Sequence, residues 1–305
     1  MEKAKVYFTK EITPESLIKI YEKLGVKLNG NVGVKVSTGE KGAKNYLKAD
    51  LIAPFVKKVN GTIIECNTAY QGKRNNAKDH LKVAEEHGFT SFANVDIMDS
   101  EDEFKIPVSN GKHLEYDIVG SHLENYDCMV NLSHVKGHAM GGYGAALKNQ
   151  SIGVASRNGK AYIHSCGKTE SPIKCWMVEY EQKDFIESMA EAAKAVKDYF
   201  DRNNKTIIYI NIMNAMSVDC DCDAHQGDPV MEDIGIAASL DPVAVDQACI
   251  DMIWNSTDPG AKKLQERVDR QEGRHILPYA EEIGLGTRKY ELEEIEAKLW
   301  KIRQK

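Results

Sequence analysis

The chain has 305 residues, of which 42% are hydrophobic and 28% charged, so it can bury a large core in one domain or two lobes. Its formal net charge at pH 7 is −6, and its 40 lysines and arginines are dispersed among 46 acidic residues. The sequence has no cluster of basic residues that could bind along a phosphate backbone, so nucleic acid is not an expected partner.

The amino-terminal segment carries charges every few residues and lacks the apolar stretch of a signal peptide. The sequence also lacks a run of about 18 apolar residues, which a membrane-spanning helix needs. We therefore expect a cytoplasmic protein without a membrane partner. The seven cysteines are scattered over a long chain, which favours free thiols or metal ligands over a disulfide framework.

The first half of the chain alternates between strand patterns and amphipathic helix patterns. The predicted strands are 5–9, 32–37, 62–66, 92–97 and 126–132. The predicted helices are 15–24, 47–59 and 77–87. This alternation predicts an α/β fold, with a mostly parallel sheet and flanking helices.

A polar, proline-containing segment, 166–174, interrupts this order. Beyond it the sequence predicts a helix over 183–202, a strand over 206–213 and a helix over 242–254. Asp241 and Pro242 fit the N-cap and first position of the last helix. We expect one domain over 1–305, with 1–175 and 176–305 as candidate lobes that either share one sheet or fold apart.

The most informative segment is a glycine-rich loop, 131–149, which follows a predicted strand and leads into a helical pattern over 144–150. In an α/β sheet, ligands bind beyond the carboxyl ends of the strands. Glycines allow the backbone to approach a ligand closely, and the N–H groups at a helix start attract anions. The loop carries two histidines and two lysines, which are His134, Lys136, His138 and Lys148.

These residue types suit acid–base chemistry on an anion. His138 is the candidate proton donor or acceptor, and Lys148 is its catalytic partner, as an anion-binding or nucleophilic amine. The alternative is a flexible turn with packed histidines and surface lysines, but four such residues in one loop favour a functional site. The candidate anion-binding residues are Lys136, Arg74, Asn149, Gly142, Gly144 and His134.

A second candidate site lies in the segment 219–225, whose sequence is Asp-Cys-Asp-Cys-Asp-Ala-His. Cys220, Cys222 and His225 would suit zinc or iron, whereas the aspartates would suit a harder cation. A fourth ligand would come from elsewhere, and the candidates are Cys166, Cys175 and His164. The alternative is a pair of reduced cysteines in an acidic loop.

The sequence resembles the family called domain of unknown function 362, the uncharacterised Fe–S centre proteins. The motifs that carry the resemblance are Lys136-Gly-His138, the segment 145–149, Arg157, His164, Cys220-Asp-Cys222 and the segment 233–246. Many relatives carry a ferredoxin-like insertion with cysteine quartets after the position of His164. This chain has only Cys166 and Cys175 there, which cannot hold a cubane cluster.

A more distant resemblance is to the nickel-pincer lactate racemases, which share the spacing of His138, Lys148 and His164. That resemblance implies that His138 is an acid/base, that Lys148 anchors a cofactor and that His164 ligates a metal. A transition metal, iron, zinc or nickel, is therefore a candidate cofactor.

The leading hypothesis is an enzyme, racemase-like, isomerase-like or redox-active, that acts on a small anionic, carboxylate-type molecule. One alternative is a metal-binding or Fe–S electron-transfer protein centred on the cysteine pair. Another is a non-catalytic module that binds a small ligand. The expected partners are a small anion and, as a candidate, a second copy of the chain.

Overall fold

The computed structural model describes residues 3–295. The strands are β1 (Ala4–Thr9), β2 (Val32–Lys35), β3 (Gly61–Glu65), β4 (Val95–Ile97), β5 (Glu103–Pro107), β6 (Tyr116–Gly120), β7 (Cys128–His134), β8 (Lys136–His138), β9 (Gly142–Gly144), β10 (Thr206–Met213), β11 (Gly235–Ser239) and β12 (Tyr290–Glu294). The α-helices are α1 (Pro14–Lys23), α2 (Ala49–Lys58), α3 (Ala77–Glu86), α4 (Ala146–Gln150), α5 (Arg157–His164), α6 (Gln182–Arg202), α7 (Pro242–Trp254), α8 (Ala261–Arg270) and α9 (Ile276–Glu282).

The described residues form a central sheet with the strand order β12-β1-β11-β10-β7-β2-β3-β4. Strand β11 is antiparallel to both of its neighbours, β1 and β10. The other neighbouring strands pair in parallel. The predicted α/β fold with a mostly parallel sheet is therefore confirmed, and strands from both halves of the chain lie side by side in it.

Helices cover both faces of this sheet, and the alternation of buried side chains along each strand separates two cores. Along β10, Ile208 and Ile210 point into a core shared with Leu17 and Phe55 of α1 and α2. Tyr209, on the opposite face, belongs to the core formed with α4, α6 and α7. This two-residue period is what an internal strand with a helix layer on each side requires.

The structure also corrects some element boundaries. The strand predicted from residue 92 begins at Val95, and the three residues before it connect the strand to a short 3₁₀ turn over Phe89–Ser91. The amphipathic helices and the N-cap at Asp241 are confirmed, and the Asp241 carboxylate accepts hydrogen bonds from the N–H groups of Val243 and Ala244, both at 2.9 Å. No helix within residues 3–295 is both long and apolar enough to cross a bilayer.

Candidate active site at the carboxyl ends of four strands

A cavity of about 650 Å³ lies where the neighbouring parallel strands β10, β7, β2 and β3 end. The segments that follow these strands supply most of its wall, as their shared position at one sheet edge requires. Among the predicted site residues, ten line the cavity: Arg74, His134, Lys136, His138, Gly144, Lys148, Asn149, His164, Cys220 and Cys222. The structure thus brings together residues that lie far apart in the sequence.

The glycine-rich loop is an ordered hairpin rather than a flexible turn. Strand β8 pairs antiparallel with β9, and His138 lies opposite Gly142. Gly142 has a φ of +69°, which favours glycine, and a Cβ there would press against the backbone of residues 268 and 273. Lys136 and His138 are two residues apart on β8, so their side chains leave the same face and both reach the cavity.

Helix α4 carries Lys148 into the cavity, and a buried aspartate fixes the start of this helix. The carboxylate of Asp246 accepts hydrogen bonds from the N–H groups of Ala146 and Leu147, each at 3.0 Å, and from the amide of Asn211 at 2.7 Å. Burial raises the pKa of Asp246 to about 6. Asp246 on α7 therefore caps α4 and determines where Lys148 points.

Lys148 places a buried amine in the cavity wall. Burial, and then the nearby charge of Lys136, lower the pKa of its amine to about 7. Within residues 3–295 its Nζ makes no ion pair, whereas Lys136 is held by a carboxylate. Near neutral pH the Lys148 amine is thus divided between its charged and neutral forms.

His138 is held in one defined tautomer. Its Nδ1 accepts hydrogen bonds from the N–H groups of Met140, at 3.1 Å, and Gly141, at 2.8 Å. Burial, and then the charge of Lys148, hold the pKa of His138 well below its ordinary value, so the ring is neutral. Since Nδ1 is an acceptor, the ring proton is on Nε2, which lies 3.8 Å from Sγ of Cys222.

Asp221 is the buried centre of a charge cluster that the sequence did not reveal. Its carboxylate lies 2.6 Å from Nζ of Lys136 and 3.0 Å from Nδ1 of His134. The Nε2 of His134 lies 2.6 Å from the carbonyl oxygen of Asn214, so both ring nitrogens face hydrogen-bond acceptors. Burial disfavours the Asp221 carboxylate, yet the charges of Lys136 and His134 outweigh burial and hold its pKa below the ordinary value.

Arg74 lies in the cavity wall, but its guanidinium binds neighbouring residues. It donates to Glu65 at 3.3 Å and to the hydroxyl of Tyr70 at 3.0 Å, and it lies 3.6 Å from Glu40. Lys35 bonds the same Glu65 carboxylate at 2.9 Å. Burial opposes ionisation of Glu65, but these two cations lower its pKa to about 2. Arg74 therefore neutralises buried carboxylates and supports the wall.

Asn149, Gly142 and Gly144 also support the site. The Asn149 amide donates to the side-chain oxygen of Asn131 at 2.8 Å and to the carbonyl of Lys35 at 3.0 Å, tying α4 to strands β7 and β2. Gly142 lies outside the cavity wall and allows the hairpin turn. A Cβ at Gly144 would lie 3.6 Å from the side chains of Lys136 and Lys148, so this glycine sits between the two lysine stems.

His164, at the end of α5, lies in the cavity wall beside aromatic rings. Its ring stacks on Phe185 at a centroid distance of 4.9 Å and lies 5.1 Å from Trp176. Burial, and then the charge of Lys148, lower its pKa to about 3, so the ring is neutral. Among the described residues its buried Nδ1 has no hydrogen-bond partner.

The cysteine pair does not form the predicted arrangement. Cys220 and Cys222 are joined by a disulfide, which corrects the expectation of free thiols at these two positions, while the other described cysteines are free and buried. His225 is exposed, and the histidine near the two sulfurs is His138 instead. The potential ligand atoms of His138, Cys220 and Cys222 lie within 4.8 Å of one another.

Sequence reasoning missed residues whose role depends on distant contacts. Lys160 on α5 reaches the cavity wall, and its Nζ donates to the carbonyl of Ala155 at 2.6 Å. Burial lowers the pKa of Lys160. In the sequence, Asp221 is one of three aspartates in the segment 219–225. The one feature that distinguishes it there is its position between the two cysteines. Asp246 on α7 is fully buried and reaches the start of α4.

This fold and site define an α/β protein with a cation-rich cavity at the carboxyl edge of its sheet. The model of the family "Domain of unknown function (DUF362)" matches residues 32–251, and the chain therefore belongs to that family, as the sequence motifs indicated. A search of curated proteins found no match.

Two solved structures are similar in fold. The lactate racemase apoprotein from Thermoanaerobacterium thermosaccharolyticum is 11% identical with a TM-score of 0.46, and the match covers 81% of this chain and 56% of that one. A protein from Thermotoga maritima is 12% identical with a TM-score of 0.42, and the match covers 84% of this chain and 58% of that one. The chain thus spans less than two thirds of either structure.

Proposed function

We propose that this protein is an enzyme that binds a small anionic, carboxylate-type substrate in the cavity, with Lys148 and His138 facing the bound molecule. The observation that carries this proposal is the Lys148 amine, which reaches the cavity without an ion pair among residues 3–295 and has a pKa of about 7. In its protonated form such an enclosed amine attracts a carboxylate. In its neutral form it can accept a proton from the bound molecule.

The other charges of the cavity support an anion. Lys136 and His134 both contact the single carboxylate of Asp221, so this carboxylate is already engaged and does not balance the charge of Lys148. When the Lys148 amine is protonated, the cavity therefore holds a positive charge without its own carboxylate. A carboxylate in the cavity would balance the charge, and buried charges are rarely left without a counter-charge.

The tautomer of His138 determines what this residue contributes. Its Nδ1 is occupied by two backbone N–H groups, so Nε2 presents a hydrogen-bond donor and His138 is not poised as a base. We assign to His138 the donation of a hydrogen bond to the substrate, in place of the acid–base role that the sequence suggests. Lys148 then takes the proton-transfer role.

Binding of a panel of small mono- and dicarboxylates by isothermal titration calorimetry tests the proposal. In Lys148→Met the affinity for the best ligand should fall about tenfold or more, equivalent to about 1.4 kcal/mol. Lys82→Met, which changes an exposed lysine on α3, is the matched control and should bind as the wild type does. Absence of carboxylate binding, or full binding by Lys148→Met, would overturn the proposal. Binding without turnover would indicate a non-catalytic module.

A metal-dependent reaction is a second candidate, favoured by His164. An unsatisfied buried polar atom costs about 1 to 3 kcal/mol, and a neutral imidazole nitrogen without a partner is a good ligand for iron, zinc or nickel. Metal analysis of protein from its own host tests this candidate, and His164→Ala should then lose the metal. Equal metal content in the wild type and in His164→Ala would exclude it.

A further inference from the structure

The disulfide between Cys220 and Cys222 lies in the wall of the same cavity. Cys220 is 4% exposed, whereas Cys222 is partly exposed. We propose that the pair is a reversible dithiol–disulfide redox site, whose substrates are thiols and disulfides small enough to enter the cavity. This inference does not depend on the carboxylate-binding function proposed above.

Each of the two sulfurs has an N–H group positioned to stabilise a thiolate. The backbone N–H of Cys222 donates to Sγ of Cys220 at 3.2 Å. The Nε2–H of His138 lies 3.8 Å from Sγ of Cys222. Hydrogen-bond donors and nearby cations favour a thiolate over a thiol, and thiolates are both the attacking and the leaving groups in disulfide exchange. The site therefore stabilises both of the sulfur anions that reduction creates.

The same geometry disfavours a metal at this position. A histidine that ligates a metal usually donates its other ring N–H to an acceptor. Here the other nitrogen, Nδ1 of His138, accepts two hydrogen bonds, so Nε2 keeps its proton and has no lone pair for a metal. His138, Cys220 and Cys222 therefore form a better redox site than a metal site.

The exchange would begin at the more exposed sulfur. The thiolate of an entering small thiol attacks Sγ of Cys222 and forms a mixed disulfide, while the bond between the cysteines breaks and its electron pair leaves on Sγ of Cys220. A second thiolate attacks the outer sulfur of the mixed disulfide, and Cys222 leaves as a thiolate beside His138. Two small thiols are oxidised to one disulfide, the cysteine pair is reduced, and the two protons lost by the thiols are available to the two cysteines.

Alkylation mass spectrometry of the whole protein in dithiothreitol buffers of graded redox composition tests the proposal. The expected result is that Cys220 and Cys222 become alkylated together, in one reversible transition. In Cys220→Ser, oxidised glutathione should add one glutathione to Cys222. In Cys128→Ser, which changes a buried cysteine at the opposite end of β7, the transition should be unchanged.

Two results would overturn the proposal. One is a cysteine pair that stays unreactive, or whose members react independently, across the whole redox range. The other is a stoichiometric metal in the wild-type protein that is lost in both Cys220→Ser and Cys222→Ser. These measurements report only on the two cysteines and on any metal that they bind. They therefore do not test the carboxylate-binding proposal.

Discussion

The carboxylate of Asp221 lies 2.6 Å from the ammonium of Lys136, and Asp221 is the residue between the two cysteines of the disulfide. The same carboxylate contacts His134, and the backbone carbonyl of Asp221 accepts a hydrogen bond from the N–H of Glu40 at 2.7 Å. One buried residue therefore joins the segments that follow β2, β7 and β10. Loss of its charge should affect both the stability and the cavity of the protein.

Asp221→Asn should destabilise the fold by about 3 to 5 kcal/mol, because it leaves the buried ammonium of Lys136 without its counter-charge. Urea denaturation measures this change. The matched control is Asp223→Asn, at an exposed aspartate two residues away, which should change the free energy of unfolding by about 0.5 kcal/mol or less. Equal stability of the two variants would contradict the structural role given to Asp221.

The stability of the wild type should depend on pH through Asp221. Its folded pKa is held below the ordinary value of 3.8, so the unfolded state binds the proton more readily. The stabilisation is therefore present above that ordinary value and is lost as the pH falls below it. Acid unfolding followed by circular dichroism should show this loss in the wild type, and Asp221→Asn should show less of it.

Lys148 should react with acylating reagents ahead of ordinary lysines. A pKa of about 7 leaves most of its amine neutral, and hence nucleophilic, slightly above neutral pH. Peptide mapping after treatment with a limiting amount of an N-hydroxysuccinimide ester should find Lys148 among the first modified lysines. The rate should rise as the pH passes through about 7. Exposed lysines modified before Lys148 at every pH would contradict this account.

Asp246→Asn should weaken the start of α4. The amide would present its own N–H toward one of the N–H groups of Ala146 and Leu147 and leave that group unsatisfied, at a cost of about 1 to 3 kcal/mol. The expected result is a lower midpoint of thermal unfolding together with slower acylation of Lys148. Asp251→Asn, on the same helix, should leave the acylation rate of Lys148 unchanged.

Two glycines of the hairpin give a matched pair of substitutions. A Cβ at Gly137 would collide with the backbone carbonyl of Val218, so Gly137→Ala should destabilise the protein by about 1 to 3 kcal/mol. A Cβ at Gly144 meets its nearest neighbours at 3.6 Å, an ordinary contact, so Gly144→Ala should fold with nearly wild-type stability. Denaturant titrations of the two variants check this order, and the reverse order would show that the hairpin packs differently.

The sequence predicted the sheet class and the site loop because both depend on local patterns. Buried strands such as β7 and β10 are apolar runs, and the glycines beyond β7 mark a close turn near a ligand. Strands β5 and β12 escaped prediction because they are partly exposed and carry charged residues. Strand β6 is buried, but it is short and a buried aspartate, Asp117, interrupts its apolar pattern. The short strands β8 and β9 escaped because glycines, which pack no side chains, make up much of them.

The chemistry of the site was only partly predictable. The presence of His138 and Lys148 in one cavity follows from their shared loop, since a strand end and the helix after it face the same sheet edge. The cap from Asp246 depends on a contact between residues far apart in the sequence, which a single sequence does not place. The tautomer of His138 and the disulfide involve residues two or three positions apart, but both depend on the exact backbone conformation, which the residue pattern does not fix. His225 was expected beside the cysteines, but it follows a turn that directs it to solvent.

The most direct test of the central claim is the affinity of wild-type protein for its best small carboxylate on both sides of neutral pH. Because the charged amine attracts the anion, affinity should be highest in mildly acidic solution and should fall as the pH rises through about 7. In Lys148→Met this fall should disappear. A wild-type affinity that does not change across neutral pH, or a fall that Lys148→Met retains, would show that Lys148 is not the group that binds the anion.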